Sequence, residues 1–300
     1  MADPADPADF PITGAGQILL PGGARDVIRA GDESGRHPIL AFHGGGGGPA
    51  GFAFRTGLAE ALGALGQRAL FPQAQGHWAD GRTPNETTWA DDRLLVDRLL
   101  AQETRVSDPL QDGPGPFALL GSSNGGMFAL RLACEMEPKP AAVVAVLAAM
   151  ALPWAGEASP GAPVPAMIVQ ATDDRVIPWG GGEVPSLGGL TQGGEVLGAE
   201  ATIRFWKRRN RVKGEPQRRR GRLRSPEGDL KVEISAWTAP PGGADLWRVV
   251  IGGLGHGWPE RAEGAGLTGT LEELVARFLV WHLDRDRLLR EGKGNIRENG

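Results

Sequence analysis

Phe117–Leu130, FALLGSSNGGMFAL, is the stretch on which the fold turns. An apolar run, the mark of a buried strand, ends at Gly121. From Asn124 onward NGGMFALRLACEM has the character of a helix. At the junction, Gly121-Ser122-Ser123-Asn124-Gly125 fits G-x-S-x-G. Such a pattern arises readily by chance in a chain with 47 glycines, and its weight comes from the strand before it and the helix after it. The requirement is steric. A nucleophilic serine held on a tight strand-to-helix turn needs small neighbours so that the backbone can pass close by. The turn also sets the hydroxyl beside the free N–H groups and positive dipole end of the helix. Ser123 fits this frame. Ser122 does not, because Leu120 stands where the first glycine is needed.

Outward from this junction, short apolar runs alternate with helical patterns. HPILAFHG, QRALFPQAQG, PFALLGSS, AAVVAVLAAMAL, VPAMIVQATDD and LWRVVIGG read as strands. The run AAVVAVLAAMAL is apolar throughout, as in a parallel strand covered on both faces. FRTGLAEALGALG reads as a helix with Leu58, Leu62 and Leu65 on one face, and TTWADDRLLVDRLLAQ as one with Leu94, Leu95, Leu99 and Leu100 inward. TLEELVARFLVWHLDRDRLL reads as the closing helix, and Cys134, the single cysteine, as core. This alternation predicts a doubly wound α/β domain with a mostly parallel sheet. The expected layout is an unordered segment over 1–16, one domain over 17–290 with a basic insertion around 204–228, and a flexible tail over 291–300.

A serine hydroxyl needs a base, and the base needs an orienting carboxylate. Of five histidines, His37 precedes a strand, His77 lies in a loop, His282 is on the last helix and His43 precedes a glycine run. His256 follows a late strand in a glycine-rich loop, GGLGHGWPE, and follows the serine in the chain. It is the expected base. The acid is expected between the two, after a strand, where Asp173 and Asp174 stand side by side; residue chemistry alone leaves both open. The stretch AFHGGGGGPAGF places Gly44–Gly48 after a strand. A linker does not fit inside one compact domain, and a phosphate loop would end in Gly-Lys-Ser/Thr where Pro49-Ala50-Gly51 follows. Acyl transfer needs bare backbone donors at the developing oxyanion. The N–H groups of Asn124 and of Gly45 are the expected pair, with Gly44 and Gly46 as neighbours. Trp179 and Trp258 are candidates to line a substrate pocket, and equally candidates for loop packing.

Taken in order, LAFHGGGGG, FPQAQG, GSSNGGM, ATDDRVIPWGGG and GGLGHGWPE resemble the esterase group that includes polyhydroxybutyrate depolymerases, feruloyl esterases and acetyl xylan esterases, within the α/β-hydrolase superfamily. The pattern G-x-S-N-G-G-M is met by Gly121–Met127. G-T-x-D-x-x-V-P is met by Thr172, Asp174, Ile177 and Pro178, with Ala171 for the glycine. G-G-H-x-W-P is met by Gly255, His256, Trp258 and Pro259, with Leu254 breaking the double glycine. The likeness spans about residues 35–285. It implies an α/β-hydrolase fold, carboxylic-ester hydrolysis by a Ser123–His256–Asp174 triad, Asp174 rather than Asp173 as the acid, and no metal or organic cofactor.

The whole chain carries a formal charge of −4, which speaks against nucleic acid as a partner by bulk electrostatics. No apolar run is long enough to span a membrane. MADPADPADFPITG lacks a signal-peptide pattern, and a cytoplasmic protein is expected. Arg204–Arg224 holds 11 of the 32 Lys and Arg and one acid, Glu215. It reads as a solvated surface insertion, a helix docked by Phe205 and Trp206 and then a mobile loop. The expected partner is a small or oligomeric ester. Two rivals stand beside the esterase: an acyltransferase or peptidase on the same scaffold, and a non-catalytic protein that uses the basic segment to hold an anionic partner.

Overall fold

The computed structural model describes residues 12–83, 86–107, 115–158, 161–185, 193–225, 228–259 and 270–285. In chain order the elements are β1 (Ile12–Leu20), β2 (Gly23–Gly31), β3 (Pro38–Phe42), α1 (Pro49–Arg55), α2 (Leu58–Gly63), β4 (Arg68–Pro72), α3 (Trp89–Ser107), β5 (Ala118–Ser122), α4 (Asn124–Glu135), β6 (Ala142–Val146) and α5 (Leu152–Glu157). They continue with β7 (Ala166–Ala171), β8 (Gly181–Glu183), β9 (Glu195–Leu197), α6 (Ala199–Arg209), β10 (Gln217–Ser225), β11 (Gly228–Trp237), β12 (Leu246–Gly252) and α7 (Leu271–Leu283).

Among the described residues, ten strands form one sheet in the order β1-β2-β4-β3-β5-β6-β7-β12-β11-β10. The six central strands, β4 to β12, run parallel. An antiparallel hairpin closes each side. Every residue of β3, β4, β6 and β7 is buried, as a sheet covered on both faces requires. One face packs Leu95 and Leu99 of α3, Phe128 of α4 and Ile203 of α6. The other packs Phe52 of α1, Leu58 and Leu62 of α2, and Val275 and Leu279 of α7. Two cores therefore sandwich one sheet, as the strand–helix alternation predicts. Phe205 and Trp206 are buried in the first of them and dock α6 as expected.

Four expectations change. The helix foreseen over FRTGLAEALGALG is two short ones, α1 and α2, divided at Gly57, whose φ of 70° ends the first. Because α2 stops at Gly63, Leu65 lies past the helical stripe and is exposed rather than inward. The unordered segment foreseen over 1–16 overlaps β1, which begins at Ile12 and is held by its ladder to β2; the expectation for residues 1–11 lies outside the described residues. The basic segment is α6 followed by β10, not a helix and a mobile loop. β11 supplies the backbone partner, pairing Gln217 through Ser225 with Ala236 through Gly228. The expected tail over 291–300 lies outside the described residues. Among the described residues, no helix is long and apolar enough to cross a membrane.

Candidate active site

The central parallel strands deliver their loops to one edge of the sheet. β5 ends at Ser122, and Ser123 follows in the left-handed region, with φ 53° and ψ −122°, before α4 begins at Asn124. Few non-glycine residues occupy such a conformation, at a cost of about 1–3 kcal/mol. The flanking glycines are forced by contact. A Cβ on Gly121 would lie 2.1 Å from the carbonyl oxygen of Gly125, and one on Gly125 would lie 2.2 Å from that of Phe42. One on Gly126 would lie 2.8 Å from the Cβ of Ala148.

Two distant loops meet Ser123. The segment after β12 is tied to the segment after β7: the Gly253 N–H donates to Thr172 Oγ1 at 2.9 Å, and the Asp173 N–H donates to the Leu254 carbonyl at 3.1 Å. This pairing brings His256 to the serine. His256 Nε2 and Ser123 Oγ are 2.9 Å apart, and His256 Nδ1 and Asp174 Oδ2 are 2.8 Å apart. The other carboxylate oxygen of Asp174 accepts the N–H groups of Val176 and Ile177, each at 2.8 Å. Asp174 is thereby buried, aimed and fully used, while His256 is half-buried. Asp173 is exposed and accepts a hydrogen bond from its neighbour Thr172. Of the adjacent pair, Asp174 is the one that meets the histidine.

The glycine run lies against the serine. A Cβ on Gly44 would come within 3.3 Å of the Ser123 Cβ, so Gly44 is the glycine in contact with it. The N–H of Gly47 donates to the Gly44 carbonyl at 3.1 Å, closing a turn in which Gly46 takes φ 68°. Gly45 stands between Gly44 and Gly46 in this turn, and Asn124, directly after Ser123, is the first residue of α4. Trp258 packs edge-on against Phe52, with ring centroids 6.0 Å apart. Trp179 lies against the guanidinium of Arg248, 5.2 Å from the ring centroid, and its carbonyl accepts the N–H of Ala199.

A supporting shell that the sequence did not disclose holds this arrangement. His43 is buried, and its Nδ1–H donates to the Gly44 carbonyl at 2.8 Å. Its Nε2 is then the acceptor for the N–H of Ala74 at 3.1 Å and the side-chain amide of Gln73 at 3.2 Å. The His43 carbonyl accepts the Trp78 indole N–H at 3.0 Å. The side chain of Asn124 receives the Trp78 N–H at 2.8 Å and donates to the Trp78 carbonyl at 2.9 Å and to Asp80 at 2.6 Å. Asp80 is fixed by Arg82 at 2.8 Å. Asn124 thus ties the start of α4 to the loop after β4. The one signal in the sequence was a tryptophan and charged residues, HWADGR, in a loop directly after a buried strand.

Burial lowers the pKa of His43 from the ordinary value of 6.5, and the nearby His77 acts in the same sense. The folded state therefore binds this proton less readily than the unfolded chain. The contribution of His43 to stability is fully present above 6.5 and is lost as pH falls below it. Chemical denaturation from pH 8 to pH 5 is expected to show a declining midpoint, part of which disappears in His43→Gln.

Among the described residues, no three His, Cys, Asp or Glu side chains converge as metal ligands do. No protein-family model and no curated protein matches the chain. Solved structures do. An acetyl xylan esterase from Aspergillus awamori superposes with a TM-score of 0.51 at 12% identity, over 82% of this chain and 95% of that one. An alpha-beta serine hydrolase homologue from Coxiella burnetii gives 0.46 at 15% identity, over 96% and 98%. Esterase PE8 gives 0.48 at 14% identity, over 88% and 96%. The strand order and the first of these likenesses define the architecture as the α/β-hydrolase fold.

Proposed function

We propose that the protein is a serine hydrolase that cleaves carboxylic esters through an acyl-enzyme. The observation that carries this reading is the continuous hydrogen-bond chain from Ser123 through His256 to Asp174, set on a strained turn at the open edge of the sheet. Ser123 Oγ attacks the ester carbonyl carbon while His256 Nε2 takes its proton. The N–H groups of Asn124 and Gly45 receive the oxyanion. As the tetrahedral intermediate collapses, the C–O bond to the alcohol breaks and His256 returns the proton to the leaving oxygen. Water, activated by the same imidazole, then attacks the acyl-enzyme and releases the acid. Asp174 keeps the proton on Nδ1, so that Nε2 is free to accept, and balances the imidazolium that forms. The motif set favours a relative of the polyhydroxybutyrate depolymerase, feruloyl esterase and acetyl xylan esterase group, acting on small or oligomeric esters.

The test is hydrolysis of a p-nitrophenyl ester series, acetate to palmitate, together with labelling by a fluorophosphonate. One label per chain, located on Ser123 by mass spectrometry, is expected, with loss of turnover in proportion. Turnover that survives full labelling would refute the assignment. A competing alcohol or amine in the assay separates hydrolysis from acyl transfer, because a transferase diverts the acyl group to the acceptor.

The adjacent acids give a paired prediction. Asp174→Asn is expected to lower kcat by about 10³–10⁴-fold, because the wrong imidazole tautomer is then held. Asp173→Asn, on the exposed side of the same turn, is expected to keep kcat within about twofold of wild type, the size of a surface change under 0.5 kcal/mol. Equal losses in the two variants would remove Asp174 from the triad.

A further inference from the structure

Trp78 touches both segments that carry the oxyanion donors, and it is fully buried. Its backbone N–H and C=O bracket the side chain of Asn124, donating to Oδ1 at 2.8 Å and accepting from Nδ2 at 2.9 Å. Its indole N–H reaches the other way, to the His43 carbonyl at 3.0 Å, directly before the glycine run. The chain Asn124–Trp78–His43 thus joins the start of α4 to the segment after β3 through one residue. The ladder between β3 and β5 does not make this join, because it ends at Phe42 and Gly121, short of both donors.

Two kinds of contact act in opposite senses on the gap between these segments. Gly125 limits approach: a Cβ there would overlap the carbonyl oxygens of Phe42 and His43, so the backbones already lie close together. Trp78 limits separation, because it is hydrogen-bonded to both sides. Its ring is held. It stacks on Phe128 with centroids 5.0 Å apart and planes 14° apart, and it meets Phe42 edge-on at 5.2 Å. Its backbone is held as well. The next residue, Ala79, donates its N–H to Asp92 Oδ2 at 2.9 Å, and its carbonyl accepts from Arg131 of α4 at 3.1 Å. Asp80 then fixes the sense of the Asn124 amide. A carboxylate paired with Arg82 can only accept, so it takes Nδ2 at 2.6 Å and leaves Oδ1 for the Trp78 N–H. A shift of about 1 Å in a group that must meet the transition state can cost on the order of 10²-fold in rate.

We propose that Trp78 is a positioning residue: it sets the spacing of the two oxyanion donors, the N–H groups of Asn124 and Gly45, and acts on the transition state without touching the substrate. The inference rests on the ester-hydrolase reading. The experiment is a kinetic double-mutant cycle on p-nitrophenyl butyrate. Trp78→Phe keeps a ring and loses the indole donor; Asn124→Ala keeps the backbone N–H and loses the side-chain link. Each is expected to lower kcat about 10- to 100-fold with KM within about twofold, because the donors are needed where the oxyanion develops and not for the bound ester. Links in series fail together. The double variant is therefore expected within about threefold of the poorer single variant, not at the product of the two losses. Leu99→Ala, in the same core on α3, is expected to lower Tm and keep kcat within about twofold, which separates lost spacing from lost stability. Losses that multiply in the double variant would overturn the proposal, as would a raised KM with kcat kept. Unchanged kcat in Asn124→Ala would overturn it whether or not Trp78→Phe folds. A wild type that is neither labelled at Ser123 nor active would end the ester-hydrolase reading and this inference with it. An active wild type matched by its variants would end this inference alone.

Discussion

Ser123→Ala is expected to lower kcat on p-nitrophenyl esters by on the order of 10³-fold or more, leaving only what the oxyanion donors and substrate binding provide. Ser123→Gly is expected to be equally inactive and yet about 1 kcal/mol more stable than Ser123→Ala. The reason lies in the backbone. At φ 53° and ψ −122° an alanine retains the strain of the serine, whereas glycine is released from it. Part of that gain is offset by the larger entropy glycine loses on folding, about 0.5–1 kcal/mol. Urea midpoints of the three proteins, measured beside their turnover, check both halves. A glycine variant no more stable than the alanine variant would mean that the turn stores no strain, and an active alanine variant would remove Ser123 from the chemistry.

Gly125→Ala is expected to have the largest effect on folding. Its Cβ would sit 2.2 Å from the Phe42 carbonyl oxygen and 2.4 Å from that of His43, and both are backbone atoms that cannot rotate away. The end of β3 would have to part from α4, carrying the glycine run with it. Overpacking of side chains costs about 1–3 kcal/mol; a clash with main chain on both counts should reach about 3 kcal/mol or more and leave little soluble protein. Gly156 in α5 is the control, since a Cβ there meets nothing within 4 Å. Gly156→Ala is expected to raise stability by about 0.5–1 kcal/mol. Similar thermal midpoints for the two variants would show that G-x-S-x-G is not held together by close backbone approach.

The motifs themselves were legible because each is local. G-x-S-x-G between an apolar run and a helical one states its own context, and so does a histidine in a glycine-rich loop after a late strand. The parallel core was legible for a similar reason, since β3, β4, β6 and β7 are apolar along their whole length. The edges were not. β11 alternates Leu230, Val232, Ile234 and Ala236 with polar residues, a period-two signal that is short and stands next to a run of arginines with no such period. β10 carries almost no apolar pattern, and it is a strand because β11 offers it a ladder. The split at Gly57 was hidden as well, because the leucine spacing of the stretch continues through a residue whose φ is positive.

By itself, then, the chain determined a doubly wound sheet, a serine on its central turn and a histidine returning to the same edge, since periodicity and turn chemistry are written in neighbouring residues. Residue chemistry left Asp173 and Asp174 open and only the motif register pointed to Asp174; the contact itself belongs to the tertiary structure, because it depends on which carboxylate faces a ring 82 positions away and which faces water. It alone placed Gly44 against Ser123 and recruited His43, Trp78 and Asp80 to support the turn. It alone made the second half of the basic segment a strand, because β10 exists through its ladder to β11, and register is a property of two strands together.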